Sequence, residues 1–430
     1  MISIQELYKI YLDFPSVQTD TRALKNGDLF FALKGPNFNG NNFIQMALEA
    51  GAAYAVSDED RHDDPRILQV PDVLDALQQL ANFHRQQFSI PFIAITGSNG
   101  KTTTKELIHA ALSKKFKTYT TEGNLNNHIG IPLTILKIKN DAEMAVVEMG
   151  ANHLKEIELY CKIVQPTHGV ITNCGKAHLE GFGGEEGVRK GKGELFDWLK
   201  SSGGSAFVNS DLPYLESMSN GIERIYRYGT IEGIITGQIK DANPFLQISI
   251  EKMDGIKTIQ TNLAGKYNLP NVLCASAIAH HFKVPGPMLK EAIENYFPSN
   301  SRSQIIQKNS NTILFDAYNA NPDSMLAAIQ NFAEIKHENK ILLLGAMKEL
   351  GEKSLEEHKN LLTEIRKYSW KDVVLVGGDF EKIPLGNFLF FSNSDEAGKW
   401  LQEKNITNAY LLVKGSRATR MEKVMEGLEG

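Results

Sequence analysis

The stretch Thr96-Gly97-Ser98-Asn99-Gly100-Lys101-Thr102-Thr103-Thr104 constrains the fold of this chain more than any other. It follows Phe92-Ile93-Ala94-Ile95, an apolar run that reads as a buried strand. It precedes Leu107, Ile108, Ala111, Leu112 and Phe116, which are spaced for the buried face of a helix. Strand, glycine loop and helix N-terminus together form a phosphate cradle. Glycines let backbone N–H groups close on the oxygens, and the helix start adds unpaired donors and a partial positive charge. Lys101 is then placed to reach terminal phosphates and the Thr102 hydroxyl to sit on Mg²⁺. The loop is a short variant, Gly97 to Gly100, because Ile95 stands where a further glycine is usual. An ordinary glycine turn is the alternative, but Gly-Lys-Thr in this setting argues against it. A nucleoside triphosphate site is expected, built from Gly97, Ser98, Asn99, Gly100, Lys101, Thr102 and Thr103.

A length of 430 residues leads to an expectation of about three domains. The net charge is −5, and no run of Lys or Arg marks a nucleic-acid track or a membrane patch. An anionic ligand must therefore be held by a few placed groups against a slightly repulsive field. Met1-Ile2-Ser3-Ile4-Gln5-Glu6 lacks the basic start and apolar core of a signal peptide, and no apolar run is long enough to span a membrane. Cys161, Cys174 and Cys274 have no metal-type spacing. They read as free buried thiols of a cytoplasmic protein, with a monomer expected.

In chain order, residues 1–85 read as a small α/β unit. Thr19-Asp20-Thr21-Arg22 leads into the strand at Leu29–Leu33, and a loop from Gly35 to Ile44 leads into a helix with Ala47, Leu48 and Ala50. Arg22 beside two Thr hydroxyls suits a phosphate or a uracil, or is simply a surface residue. A helix over Val73 to Phe88 leads to the central unit, 86–298. There Phe92–Ile95, Ala145–Val147, Gly169–Thr172 and Ala206–Val208 alternate with helical patterns, as in a mostly parallel sheet covered on both faces. From Ile222 to Leu263 the pattern shortens and alternates, which predicts an antiparallel hairpin layer. A turn-rich boundary near Phe297-Pro298-Ser299-Asn300-Ser301 opens the last unit, 299–430, a small doubly wound α/β domain. Hinges are expected near residues 85 and 298.

Ligands of parallel sheets bind beyond the carboxyl ends of the strands. Glu148 ends one strand run, and its carboxylate is a hard oxygen ligand for Mg²⁺ or else a surface group. His178 follows another strand in a glycine-rich stretch and is either a ligand or a hydrogen-bonded structural residue. Lys192, in Arg189-Lys190-Gly191-Lys192-Gly193-Glu194, reads by default as part of a solvated basic helix face. Asn124, Asn126 and Asn127 can read a peptide or sugar through their amides, or serve turn chemistry.

These motifs resemble the Mur ligase family across nearly the whole chain. The resemblance is greatest to the branch that adds D-alanyl-D-alanine to UDP-N-acetylmuramoyl-tripeptide through an acyl phosphate, using ATP. The carrying stretches are Thr96–Thr103, Val147-Glu148-Met149-Gly150, Asn173–Phe182, Gly123–Asn127 with Ile131–Thr134, and above all Asp316–Met325. The resemblance implies that Glu148, His178 and Thr102 hold Mg²⁺, two ions in all. It also implies that Lys192 is carbamylated by CO₂ and becomes a metal ligand. Lys101, Lys192 and His178 take catalytic roles, and Asn268, Asn271, Arg302 and Asp316 join the ATP site. Thr21, Arg22, Asn124, Asn126, Asn127, Asn319, Asn321 and Lys414 bind substrate. Ala317, Ala346 and Tyr267 depart from the usual pattern, where Asp, Asp and His are common. The rivals are an amide ligase with another amine acceptor and a non-ligating nucleotide switch. For a GTPase switch an Asn-Lys-x-Asp motif would be expected, and the sequence has none.

Overall fold

The structure, a computed structural model, describes residues 1–59, 64–299 and 301–428. Asn300, in the turn-rich boundary stretch, lies outside the described residues. Three sheets organise the α/β chain. The first has four parallel strands, ordered Val17–Gln18, Leu29–Phe31, Tyr54–Ser57, Ile67–Gln69. The loop after residue 34 also contains a small hairpin, Lys34–Gly35 against Phe38–Asn39.

Nine strands form the central sheet. Phe92–Thr96 lies between His168–Ile171 and Met144–Glu148, all parallel, and every residue of Phe92–Thr96 is buried. That explains its uninterrupted apolar run: both faces are covered. The register pairs Ile95 with Glu148 and Ile171 with Thr96, so three strands end level at one rim. Thr118–Thr120 adds an edge strand that its mixed composition did not announce.

The antiparallel layer expected over residues 222–263 is corrected. Arg224–Gly229 runs parallel to Ser205–Asn209 and extends the same sheet, because helix Pro213–Met218 supplies the crossover a parallel pair requires. Only Ile235–Asp241, Phe245–Glu251 and Thr258–Ala264 pair antiparallel to one another. The last sheet has six strands. Asn311–Asp316, Tyr410–Lys414, Lys340–Gly345, Asp372–Val376 and Leu389–Phe391 are parallel, and Gln304–Lys308 is antiparallel at the edge.

Residue 85 is not a free joint. Helix Val73–Arg85 shares a hydrophobic core with the central unit. Its side chains, with Tyr11, take up backbone carbonyls of the central unit, most of them at helix C-termini. Tyr11 Oη donates to Leu136 O at 2.5 Å, Gln78 Nε2 to His128 O at 3.0 Å and Asn82 Nδ2 to Lys162 O at 2.8 Å. Arg85 donates to Val164 O at 2.7 Å, Gln165 O at 2.9 Å and Phe88 O at 2.8 Å. Its guanidinium lies 3.7 Å from the centre of the Phe92 ring. Helices Gly130–Leu136 and Glu156–Val164 leave such carbonyls unpaired at their C-termini, and the first unit satisfies them. The expectation of a hinge there came from domain counting; the hydrogen bonds oppose it.

Candidate active site

The glycine loop turns at the rim of the central sheet. Gly97 has φ +143, and a side chain there would stand 2.0 Å from Thr172 Oγ1. Gly100 has φ +81, and a side chain would stand 2.6 Å from Asn271 Oδ1. The loop can pass this close to its neighbours only without Cβ atoms. It is tied to the segment after strand His168–Ile171. Ser98 N–H donates to Asn173 O at 2.9 Å, Asn99 N–H to Asn173 Oδ1 at 2.9 Å and Gly175 N–H to Ser98 Oγ at 2.9 Å. Helix Lys101–Leu112 starts directly at the loop, aiming its unpaired N–H groups outward.

A cavity of about 790 Å³ opens over this loop. Ser98, Asn99, Gly100, Lys101, Thr102 and Thr103 line it from below, and Asn124, Asn126, Asn127, Glu148 and His178 from the sides. Asn268, Asn271, Arg302, Asp316, Asn319, Asn321 and Lys414 close it from the far end of the chain. Gly97, Lys192, Thr21 and Arg22 are not in its wall. Thr21 and Arg22 lie in the short helical turn Thr21–Ala23 of the first unit, where exposed Arg22 pairs with Asp20 at 2.6 Å. That arrangement fits the surface-residue alternative as well as a ligand role.

Lys101 Nζ folds over its own loop, donating to Gly97 O at 2.5 Å and Ser98 O at 3.2 Å. Burial pulls its ammonium down to about 8, the Glu148 carboxylate opposes this, and the Arg302 charge adds to it. Glu148 is almost wholly buried. Its Oε1 accepts from Asn126 Nδ2 at 2.7 Å, and its Oε2 has no hydrogen-bond partner. A buried carboxyl oxygen is not left without a partner at low cost. With the buried Thr102 beside it in the cavity wall, it is donor chemistry suited to Mg²⁺, which takes one or two carboxylates plus phosphate oxygens. Among the described residues, no three His, Cys, Asp or Glu side chains form a metal-binding group on their own.

His178 turns instead toward the third unit. Its Nδ1 lies 2.5 Å from Glu349 Oε2. That contact holds the Glu349 carboxyl below its usual range while burial opposes it. Lys192 is not on a solvated face; it is 1% exposed. Its Nζ donates to Ala151 O at 2.9 Å and lies 5.0 Å from the centre of the Phe182 ring. Burial drives its ammonium well down, and the nearby Lys101 charge adds to the effect. Asn126 serves Glu148, whereas Asn127 Oδ1 accepts from Ile129 N–H and Gly130 N–H as a turn cap.

The third unit is seated on the loop. Asn321 Nδ2 donates to Asn99 Oδ1 at 2.8 Å, Lys176 N–H donates to Asp323 Oδ2 at 2.7 Å, and Lys176 Nζ pairs with Glu357 at 2.7 Å. Arg302 stacks 3.7 Å from the Tyr318 ring centre, leaving its buried Nε without a partner. Asp316 Oδ2 pairs with Lys414 at 2.5 Å. Tyr267 Oη is 3.0 Å from Ser303 Oγ, so this departure from the usual His joins the two units. Ala317 and Ala346 are buried and apolar, and a Cβ on Gly378 would stand 2.4 Å from the Ala346 Cβ.

Tyr160, Tyr214, Glu156, Lys348, Glu349 and Asp323 also line the cavity, and sequence reasoning did not single them out. Tyr160 shares its helix face with Ile157 and Cys161 and reads as core. Asp323 alone had a signal, since it sits inside the Asp316–Met325 stretch.

Comparison with known proteins adds three family matches: "Mur ligase family, catalytic domain" over residues 14–85, "Mur ligase middle domain" over 95–279 and "Mur ligase, glutamate ligase domain" over 301–417. The UDP-N-acetylmuramoyl-tripeptide--D-alanyl-D-alanine ligase of Bacillus subtilis is 32% identical, across 96% of this chain and 92% of the relative. Its namesake in Escherichia coli is 33% identical, across 99% and 96%. The structure of MurF from Acinetobacter baumannii superimposes with a TM-score of 0.88 at 31% identity, covering 96% of this chain and 93% of that one. MurF ligase from Thermotoga maritima in complex with ADP gives 0.86 at 28%, covering 96% and 97%. The chain belongs to the Mur ligase family.

Proposed function

We propose that this chain joins D-alanyl-D-alanine to UDP-N-acetylmuramoyl-tripeptide in the cytoplasm, forming ADP and phosphate from ATP, as a step of peptidoglycan precursor synthesis. The observation that carries this reading is near-full-length identity to ligases of that name, in a chain whose glycine loop opens on one cavity shared by two units. The tripeptide carboxylate attacks the terminal phosphorus, the bond to ADP breaks, and an acyl phosphate forms. The dipeptide amine then attacks the acyl carbon, a C–N bond forms, the C–O bond to phosphate breaks and the amine proton leaves.

A carboxylate approaching a triphosphate brings anions together, so the chain must supply positive charge. Lys101 and the unpaired N–H groups of Lys101–Thr103, at the start of the helix, face the phosphates. Arg302 offers its free Nε from above, and Asn268, Asn271 and Asp316 line the nucleotide end. Asn124, Asn126, Asn127, Asn319, Asn321 and Lys414 take the peptide and dipeptide, with Thr21 and Arg22 toward the UDP end. Thr102, Glu148, His178 and a carbamate on Lys192 would hold Mg²⁺, two ions in this reading, which would supply positive charge against that of the phosphates. Lys192 suits carbamate formation because burial favours the uncharged amine, whose lone pair attacks CO₂. The seated third unit keeps water from the acyl phosphate.

The test is ADP release with each substrate omitted in turn. Release should require the UDP-tripeptide and D-alanyl-D-alanine together, and Lys101→Ala should abolish it. Release supported by another amine, or by ATP alone, would replace this reading with one of its rivals.

A further inference from the structure

We propose that Glu194 is a positioning residue that holds the loop Ala151–Lys155 in the shape that readies Lys192 for carbamate formation; this rests on the reading of Lys192 given above. Helix Glu185–Ser202 carries both residues. Two positions apart on a helix, they face different sides. Lys192 Nζ takes the Ala151 end of the loop through that residue's carbonyl at 2.9 Å. Glu194 takes the other end: Oε1 accepts from Lys155 N–H at 2.7 Å and Oε2 from Glu158 N–H at 3.0 Å. Both oxygens of a nearly buried carboxylate are thus committed to backbone donors at the start of helix Glu156–Val164. Lys155 has φ 72, a left-handed conformation that is strained for a residue with a side chain. The carboxylate bond offsets that strain, and without it the loop has a reason to relax.

The chemistry explains why the Lys155 end matters. The Lys192 nitrogen lone pair forms an N–C bond to CO₂, a C=O π pair moves onto oxygen, and a proton leaves the nitrogen for solvent. The product retains one N–H, which still donates to Ala151 O and so directs the new carboxylate away from that carbonyl. Ala151 can select this orientation only if its loop is held independently of the lysine. Glu194 provides the hold at the Lys155 end, while Glu156 Oε2 accepts from Asn152 N–H at 2.6 Å and His153 N–H at 3.0 Å in the middle of the loop. Ala151 and Asn152 line the cavity, so the loop that Lys192 bonds to forms part of the cavity's wall.

Glu194→Gln keeps shape and volume but turns an amide N–H toward a backbone N–H, so one end of the loop is released. The experiment titrates ¹³C-bicarbonate against the full chain and follows the carbamate carbon by NMR, alongside the bicarbonate dependence of ADP release. In the variant, the concentration for half-maximal labelling should rise about ten-fold, the factor given by loss of one charge-assisted hydrogen bond. Saturating bicarbonate should bring turnover back toward that of the unsubstituted chain. A purely structural role would lower the melting temperature and leave the bicarbonate midpoint unmoved. Equal midpoints in the two proteins overturn the role of Glu194 alone. No label in the unsubstituted chain overturns the Lys192 reading and this inference with it. Lys192→Ala serves as the control that removes the signal.

Discussion

Gly175→Ala should unseat the third unit without disturbing the glycine loop beneath it. A Cβ at Gly175 would stand 2.1 Å from Asp323 Oδ2, about 1 Å or more inside van der Waals contact. Gly175 has no left-handed backbone, so alanine costs nothing in its own loop. Asp323 must withdraw, and its bond to Lys176 N–H, 2.7 Å long, is lost. A carboxylate accepting from a backbone N–H is worth roughly 1.5–3 kcal/mol. A loss near 2 kcal/mol moves the seated-to-open equilibrium about 30-fold. Small-angle X-ray scattering should show a larger radius of gyration, ADP release should slow by a similar factor, and the melting temperature should hardly change. Asp323→Ala removes the clash and the bond together, so adding Gly175→Ala to it should do no further harm. Unchanged scattering and turnover in Gly175→Ala, or a double variant much worse than Asp323→Ala, would refute the argument.

Arg85→Met should cost about 3–5 kcal/mol in urea unfolding, because three carbonyls lose a buried charged donor and the ring of Phe92 loses its cover. Catalysis by the remaining folded protein should be little altered. Burial holds the His168 imidazole down to about 4, the His281 charge adding to the effect. The unfolded chain takes up this proton near the ordinary value of 6.5 and the folded chain only near 4, so stability falls as pH drops through that window. His168→Phe should flatten the pH dependence of the urea midpoint between about pH 6.5 and 4, and an unchanged slope would assign it elsewhere.

The sequence was most informative where chemistry is local. The glycine loop was legible because spacing along the chain dictates backbone shape. Glu148 was legible because a carboxylate closing an apolar strand run lands at the rim of a parallel sheet. Contacts between distant segments were not. Lys192 reads as solvated because Lys and Gly surround it, and its burial is decided by the Ala151 loop and Phe182 from elsewhere in the chain. Glu349 and Asp323 acquire meaning only once the third unit is seated, and nothing in their neighbourhoods marks His178 or Lys176 as partners. The strand Arg224–Gly229 was misread for a related reason, since pairing direction depends on a crossover helix rather than on the strand's own alternation.

The way the first unit captures the central helices' terminal carbonyls has a mechanical consequence. The first two sheets are tied into a single jaw, so relative movement of the two is opposed by those bonds. A long substrate anchored along that jaw meets the glycine loop at a constant reach, as against a ruler. The glycine loop and the third unit's residues line one cavity, so on the proposed reading the shorter reactant and the nucleotide meet that ruler from the third unit's side.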